Sequence, residues 1–368
     1  MRAGAHDPSL VSPVAFVTGA SGQDGYFLTE RLLREGFRVH ATVHSDAGVA
    51  KVPSIRGAEM MTVHVVDLRA PAALGDLIAQ VRPDEFYNLA GQSSVAKSFE
   101  DPSDTWRTNA EAVHTMLEAV RLHSPATRFY QSSSSDMFGS VAGDVVVHDE
   151  DSPLRPQSPY AAAKAAAHLQ ADTYRSAYGL RIACGILFNH ESSRRSAGFL
   201  TRKVVDHVKS LRLLPDASAR LVPALEVGNL ATQRDWGFAP DYVDGIVRIA
   251  RQIATRAQTL EQSPEEDTGS NYRDYVLGSG QLHAVWELID RAFTLADLEL
   301  DWDRASDDPT TWTARLRRSG TLAVKVDPRF IRPSDPLAIL ADPARARQEL
   351  GWAPRPGIDH FLLDMLDG

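Results

Sequence analysis

The eight residues TGASGQDG, directly after the apolar run Val14–Thr18, constrain this chain more than any other stretch. Gly19, Gly22 and Gly25 recur every three residues, and apolar residues at helical spacing begin immediately beyond. Glycine lets a backbone turn tightly and approach a ligand closely, and the first turn of a helix offers unpaired N–H groups and a positive dipole end. Strand, glycine turn and helix in that order open a βαβ unit that can hold a pyrophosphate. The rival reading is a turn that needs glycine for shape alone.

The rhythm that follows favours the first reading. Short apolar runs at 37–43, 60–66, 85–89, 127–131 and 181–188 read as strands. Helical patterns at 23–35, 72–81, 102–123 and 158–178 lie between them. Such alternation predicts an α/β fold, a Rossmann-type doubly wound parallel sheet covered on both faces. After residue 189 the rhythm breaks. Residues 212–232 read as loop, 239–253 and 284–296 as helices, and 256–272 as a polar surface insertion. The tail predicts two short helices separated by Pro354 and Pro356. The expected organisation is a flexible N-terminus over 1–12 and a dinucleotide-binding domain over 13–189 with a return segment near 235–280. A smaller, discontinuous substrate-binding domain follows over 190–234 and 281–368, laid on the carboxyl edge of the sheet, where ligands of open α/β sheets bind.

Chemistry enters at SPYAAAK, where Tyr160 and Lys164 stand four apart and share a helix face. A phenol is a poor base at neutral pH, and a neighbouring ammonium is expected to stabilise its phenolate. Ser134, on an earlier segment, is placed to hydrogen-bond the same substrate hydroxyl. Tyrosine, lysine and serine beside a dinucleotide turn describe hydride transfer from an alcohol. A chance pair on an alanine-rich helix is the bland alternative.

The 368 residues carry a net charge of -9, so bulk electrostatics favour neither nucleic acid nor an anionic membrane. The first dozen residues lack the apolar core of a signal peptide, and no apolar run is long enough to span a bilayer. A cytoplasmic address is expected. The single cysteine, Cys184, lies in the apolar run RIACGILF and reads as a buried structural thiol. The histidines are scattered without ligand spacing, so no metal is expected.

Together these segments resemble the extended short-chain dehydrogenase/reductase family, and more closely the GDP-mannose 4,6-dehydratases within it. The resemblance runs from about Val14 to the tail. It is carried by TGASGQDG, RPDEFYNLAGQSSVAKSFEDP, QSSSSDMFG, SPYAAAK, GILFNHES, FLTRKV, GNLATQRDWGFAPDYVD, VKVDPRFIRP and the terminal LGW. GILFNHES, RDWG and DPRFIRP are the segments specific to the dehydratase branch. The resemblance implies that Gly19, Ala20, Ser21, Gly22, Gln23, Asp24 and Gly25 form the cofactor's phosphate turn. Asp67 and Leu68 would flank adenine, and Leu89, Ala90, Gly91, Gln92 and Ser93 the ribose and nicotinamide side. Tyr160 would deprotonate the carbon-4 hydroxyl, Lys164 would orient it and hold the nicotinamide ribose, and His190 and Arg195 would reach the cofactor. Asn189, Lys203, Arg234, Arg329 and Arg332 would hold the nucleotide sugar, the arginines at its diphosphate, and Ser94 and Arg194 are further candidate substrate contacts.

The implied reaction is redox-neutral overall: oxidation at carbon 4, loss of water across carbons 5 and 6, and return of the hydride to carbon 6. The product is a 4-keto-6-deoxy sugar nucleotide, from GDP-mannose or a close analogue. NADP is the expected cofactor, with NAD also compatible. Strand two ends HATVHSDA, with neither the acid of NAD users nor the arginine of NADP users in place. His44 there is a phosphate contact or an ordinary surface histidine. A homodimer or homotetramer is implied by the resemblance alone.

The chain departs from the family pattern around the pocket. Ser134 stands where threonine is usual, and Asp136 where glutamate is. Met137-Phe138 replace leucine-tyrosine, His44-Ser45 an arginine pair, Asp104 a tyrosine and Ser94 a histidine. Asp136 reads either as the base that removes the carbon-5 proton or as a cap on the next segment. Two further readings therefore stand beside the dehydratase: a 4-epimerase or 4-keto reductase on the same scaffold, and a dinucleotide sensor without turnover. Arg317 and Arg318 read as surface, and Trp236 and Trp352 as packing residues.

Overall fold

A computed structural model describes residues 12–368 except 55–56, 141–144, 213, 215–220, 263–271 and 332–337. Of the expected flexible segment 1–12, only residue 12 falls among them. β1 (Val14–Thr18) runs through the glycine turn into α1 (Gln23–Arg34), which buries Leu28, Leu32 and Leu33 against the sheet. β2 (Arg38–Val43), the short α2 (Asp46–Val49) and β3 (Met61–Val65) follow. Then come α3 (Pro71–Val81), β4 (Glu85–Asn88), α4 (Val95–Glu100), α5 (Pro102–Trp106), α6 (Ala112–His123) and β5 (Arg128–Ser134).

The helix expected over 102–123 is broken. A wide π turn, Arg107–Glu111, separates α5 from α6. It aims the Asn109 amide at the loop after β4, where Asn109 Oδ1 accepts from Gln92 N at 2.8 Å and Nδ2 donates to Gln92 O at 2.8 Å. Such bulges recur at functional sites because they re-aim one side chain without ending the helix.

β6 (Val146–His148) leads to α7 (Pro159–Tyr178), β7 (Ile182–Leu187) and β8 (Asn189–Glu191). α8 (Leu200–Arg212) and β9 (Leu225–Val227) precede β10 (Gln233–Phe238). α9 (Ala239–Gln262) is longer than the pattern predicts, and it takes in the start of the stretch read as an insertion. β11 (Tyr275–Leu277), β12 (Leu282–Ala284), α10 (Val285–Leu295), β13 (Leu300–Asp303), β14 (Thr313–Leu316), β15 (Leu322–Val326), β16 (Ala338–Ala341), α11 (Ala344–Leu350) and α12 (Asp359–Asp367) complete the chain.

The main sheet has seven strands in the order β3-β2-β1-β4-β5-β7-β11, all parallel. This is the Rossmann order, with its reversal between β1 and β4. One face is packed by Leu28 and Leu32 of α1 with Val243, Ile246 and Val247 of α9. The other is packed by Leu74 of α3, Met116 and Leu117 of α6, and Ala167 and Ala171 of α7. Burial on both faces explains why these strands read as continuous apolar runs.

A second core joins Val204, Val205 and Val208 of α8 to Leu288, Ile289 and Phe293 of α10 and to Phe361 and Leu362 of α12. It also seats Trp236, while Trp352 is buried in the sheet's own core. The stretch 212–232, read as loop, contributes β9 to a four-stranded sheet β13-β14-β15-β9. α8 and this meander escaped the sequence reading. Arg317 lies on the surface, paired with Glu299 at 2.6 Å and Asp301 at 2.8 Å. Among the described residues no helix is long and apolar enough to cross a membrane.

Candidate active site

A cleft of about 580 Å³ opens along the carboxyl edge of the main sheet, between it and the second core. That volume suits a sizeable organic ligand. Its wall brings together residues from the loop after β4 and from β5, α7, β8, α8, β9 and β10, including Ser134, Asp136, Tyr160 and Lys164.

The glycine turn adjoins one end, where Asp24 lines the cleft. Gly19 has φ +74°, and a Cβ there would lie 3.0 Å from the Ala90 backbone. A Cβ on Gly25 would lie 2.2 Å from Gly19 O and 2.8 Å from Ala20 Cα. Both positions therefore exclude a side chain, and the turn lies flat against the loop after β4. No side chain caps the N-terminus of α1, so its first N–H groups remain available to an anion. Thr18 Oγ1 donates to Asn88 Oδ1 at 2.8 Å and accepts from Leu89 N and Ala90 N at 3.0 Å. Asn88 Nδ2 in turn donates to Gln131 Oε1 at 2.9 Å, which laces the ends of β1, β4 and β5 together. This cradle fits a nicotinamide dinucleotide, as the motif leads one to expect.

At the centre, α7 presents Tyr160 and Lys164 to the end of β5. Ser158 caps α7, its side chain accepting from Ala161 N at 3.1 Å, and Pro159 occupies the first turn, where its missing N–H costs nothing. The Tyr160 hydroxyl is hydrogen-bonded with Ser134. Lys164 Nζ donates to Ser132 O at 3.0 Å. Burial pushes the Lys164 pKa down to about 8, with Asp24 pulling partly the other way. Burial also pushes the Tyr160 phenol up, the Asp136 carboxylate adds to that, and Ser134 offsets part of it. The expected acidic phenol is thus absent from the protein alone: Lys164 is turned to a backbone carbonyl, and desolvation dominates. Asp136 lies in the turn after Ser134, with Ser134 Oγ 3.3 Å from its N and 3.4 Å from its Oδ2. Ser134, not Asp136, caps that turn.

His190 sits between the two cores. Its Nδ1 faces Phe188 O at 2.7 Å and its Nε2 faces Asp24 Oδ2 at 2.9 Å. Both partners only accept, so both ring nitrogens carry protons. Burial opposes the resulting charge, but Asp24 outweighs it and holds the His190 pKa above 6.5. The ring stacks on Tyr242 with centroids 4.5 Å apart. Gln23 is also engaged, donating to His190 O at 2.9 Å and accepting from Ser192 Oγ at 2.8 Å. Arg195 lies over the Phe199 ring, with Nε 3.0 Å from Glu191 Oε2 but poorly aligned for a hydrogen bond.

The far end carries Lys203, Arg234 and Arg329. Lys203 Nζ donates to Glu226 O at 2.6 Å and lies 3.9 Å from the Phe330 ring centroid. Arg234 donates to Gln233 O at 2.7 Å. Arg329 pairs with Asp327 at 2.6 Å and with Glu226 at 3.3 Å.

Most expected site residues meet in this cleft; some do not. Asp24, Leu89, Gly91, Gln92, Ser93, Ser94, Asn189, His190 and Arg195 line it. Arg194 is not among the residues that line the cleft: its guanidinium lies 3.2 Å from the Tyr26 ring centroid and bonds Lys51 O. Asp67 and Leu68 follow β3 outside the wall, Asp67 chelated by Arg69 at 2.7 Å. His44 is exposed beyond β2. Arg332 lies outside the described residues.

The family model for GDP-mannose 4,6 dehydratase matches residues 16–365. The chain belongs to the GDP-mannose 4,6-dehydratase family.

Its relatives within that family include GDP-mannose 4,6 dehydratase 1 of Arabidopsis thaliana, 35% identical over 98% of this chain and 91% of that protein. GDP-mannose 4,6-dehydratase of Yersinia enterocolitica is 33% identical over 96% and 93%. Among solved structures, dTDP-glucose 4,6-dehydratase from Bacillus anthracis in complex with NAD shares the fold, with TM-score 0.71 and 18% identity over 97% of this chain and 96% of that one. For this member of the dehydratase family, sequence reasoning missed Gln157, Glu191, Glu226 and Phe330, which also line the cleft. Asn109 and Thr18, which shape its floor, were missed too. Their signal was weak, because each acts across a sequence gap of 17 or about 70 residues.

Proposed function

We propose that the protein is a lyase that converts GDP-mannose to its 4-keto-6-deoxy product by loss of water, in the cytoplasm. The observation that carries this reading is the convergence of Ser134, Asp136, Tyr160 and Lys164 in one cleft beside an intact dinucleotide turn. When bound, an oxidised nicotinamide dinucleotide supplies a hydride acceptor that later becomes the donor. NADP is the proposed form, supported by resemblance, with NAD as the rival.

The chain's own residues supply the proton chemistry. Tyr160 takes the carbon-4 hydroxyl proton, and Ser134 orients that hydroxyl. The phenol needs help, because burial and Asp136 both hold its proton. Bringing Lys164 off Ser132 O and towards the ligand ribose would provide it. Asp136 removes the carbon-5 proton, made acidic by the neighbouring ketone, and passes it to the carbon-6 hydroxyl, which leaves as water. Lys203, Arg234, Arg329 and Arg332 hold the diphosphate. In this division of labour 13–189, with the return near 235–280, holds the dinucleotide, while 190–234 and 281–368 hold the sugar nucleotide.

Asp136 is one methylene shorter than the usual glutamate and sits against Ser134, so carbon-5 abstraction is the step to test. Incubation with GDP-mannose in deuterated water should give a product that has lost water and carries one deuterium at carbon 5, without net use of added dinucleotide. Asp136→Asn should stop water loss, by about 100-fold or more, while still reducing bound dinucleotide in part. Stoichiometric consumption of NADPH, or a product of unchanged mass, would replace the dehydratase reading with a reductase or an epimerase. A second copy of the chain is the proposed partner, supported by exposed Phe99, Trp106, Leu169 and Tyr178 on α4, α5 and α7. Light scattering should report a dimer or tetramer.

A further inference from the structure

One buried cluster has no part in the chemistry above. His168, Cys184 and Asp274 bring their ligand atoms within 4.8 Å of one another beneath the catalytic end of β5. Asp274 is already engaged: its Oδ1 accepts from Arg175 at 2.7 Å and from Cys184 N at 2.8 Å, and its Oδ2 from Arg175 at 3.1 Å. A carboxylate so engaged is a poor cation ligand, and burial holds the Cys184 thiol protonated. The cluster is a hydrogen-bond network, and its aim is towards the active site.

The network leads to Ser133, next to the catalytic Ser134. His168 Nδ1 lies 3.0 Å from Ser133 Oγ, and His168 Nε2 lies 3.7 Å from Asp274 Oδ2. Ser133 is 2% exposed, and the His168 side chain 12%. Burial lowers the His168 pKa, and in the tautomer with its proton on Nε2, Nδ1 accepts from the serine hydroxyl while Nε2–H faces Asp274. Tyr160, Lys164 and His168 stand at intervals of four on α7. They engage three consecutive residues of β5: Tyr160 meets Ser134, Lys164 meets Ser132 and His168 meets Ser133. The third contact reaches away from the cleft: Ser133 lines the wall, but His168 does not. It is anchored from behind by Asp274, at the start of β11.

We propose that His168 is a positioning residue for the hydride-transfer site, setting the register of α7 on β5 through Ser133 so that Tyr160 and Lys164 face Ser134. The assignment rests on the dehydratase reading only for what the site does, not for the register itself. Lys164 must leave Ser132 to serve a ligand, and His168–Ser133 is then the polar contact that still fixes this part of α7 on β5. A displacement of about 1 Å costs on the order of 100-fold in rate.

Three variants and one structure test this. His168→Leu should lower kcat about tenfold to 100-fold while KM for the sugar nucleotide stays within about twofold. His168→Asn, whose amide oxygen replaces the Nδ1 acceptor, should recover most of the loss. Ser133→Ala should reproduce the kcat loss, and the Ser133→Ala/His168→Leu double variant should be no worse than the poorer single one. Full kcat in His168→Leu or in Ser133→Ala would overturn the proposal. So would a loss in His168→Leu that His168→Asn does not recover. A crystal structure of His168→Leu, with no substrate, should show α7 displaced along β5 and the Lys164–Ser132 contact lengthened. An unmoved α7 would overturn the proposal whatever the activity. A wild-type protein that turns over no sugar nucleotide would count against the dehydratase reading alone.

Discussion

The two ends of the cleft are built from different materials. The dinucleotide end is backbone and neutral hydrogen bonds: two glycines that admit no Cβ, and a Thr18–Asn88–Gln131 lace. The sugar-nucleotide end is charge on charge: Arg329 is ion-paired with Glu226 and Asp327, and Lys203, held on the Glu226 backbone carbonyl, feels both carboxylates before any ligand arrives. A site made of backbone binds by shape and is paid in full when the chain folds. A site of paired charges must exchange protein carboxylates for ligand phosphates, so its net affinity is smaller and depends on salt. The first end should fail abruptly on substitution, and the second by degrees.

The largest effect should come from where the two ends meet. Tyr160→Phe should lower kcat about 1000-fold, with little change in binding of either ligand, because only the proton transfer is lost. Retention of a tenth of wild-type kcat would move the base elsewhere. Next, Gly25→Ala should weaken dinucleotide binding tenfold or more in fluorescence titration, since its methyl would collide with Gly19 O. Unchanged affinity there would break the contrast between the two ends. Arg329→Ala should raise KM for the sugar nucleotide only about threefold to fivefold, because Arg329 is exposed and already paired. Glu226→Gln should move KM the opposite way and flatten its salt dependence. If Arg329→Ala abolishes binding outright, the graded end is not graded.

The smallest effect concerns the Asp24–His190 pair, which joins the ends. The native state holds the His190 proton more tightly than the unfolded chain, so its contribution is full below pH 6.5 and fades as pH rises through the raised native value. Wild-type Tm should therefore fall in that interval. In Asp24→Asn the fall should be absent, as thermal scans across pH will show. Equal pH slopes in both proteins would remove the imidazolium from the design.

Much of the dinucleotide end was legible in the residues because its causes are local. Gly19 to Gly25 act within one turn, and Tyr160 and Lys164 within one helix. Six of the seven strands of the main sheet were legible as apolar runs, while β11 was not. Nor was the π turn at Arg107–Glu111, since its reason is a hydrogen bond from Asn109 to a loop 17 residues earlier. Nothing local marks the contacts of Arg194, which rests on Tyr26 and Lys51 O from other elements. α8 and the β13–β15 meander escaped because their apolar faces match a partner core that no local period marks.

The amino-acid sequence by itself determined the Rossmann sheet, the glycine cradle and the Tyr160–Lys164 pair, all set by steric and periodic rules over fewer than eight residues. Only the tertiary structure decided what those groups experience. The raised phenol, the protonated His190 and the cations met by Glu226 and Asp327 all follow from burial and from partners many residues away. Desolvation and Coulomb interactions depend on distance through space, and distance along the chain does not encode it.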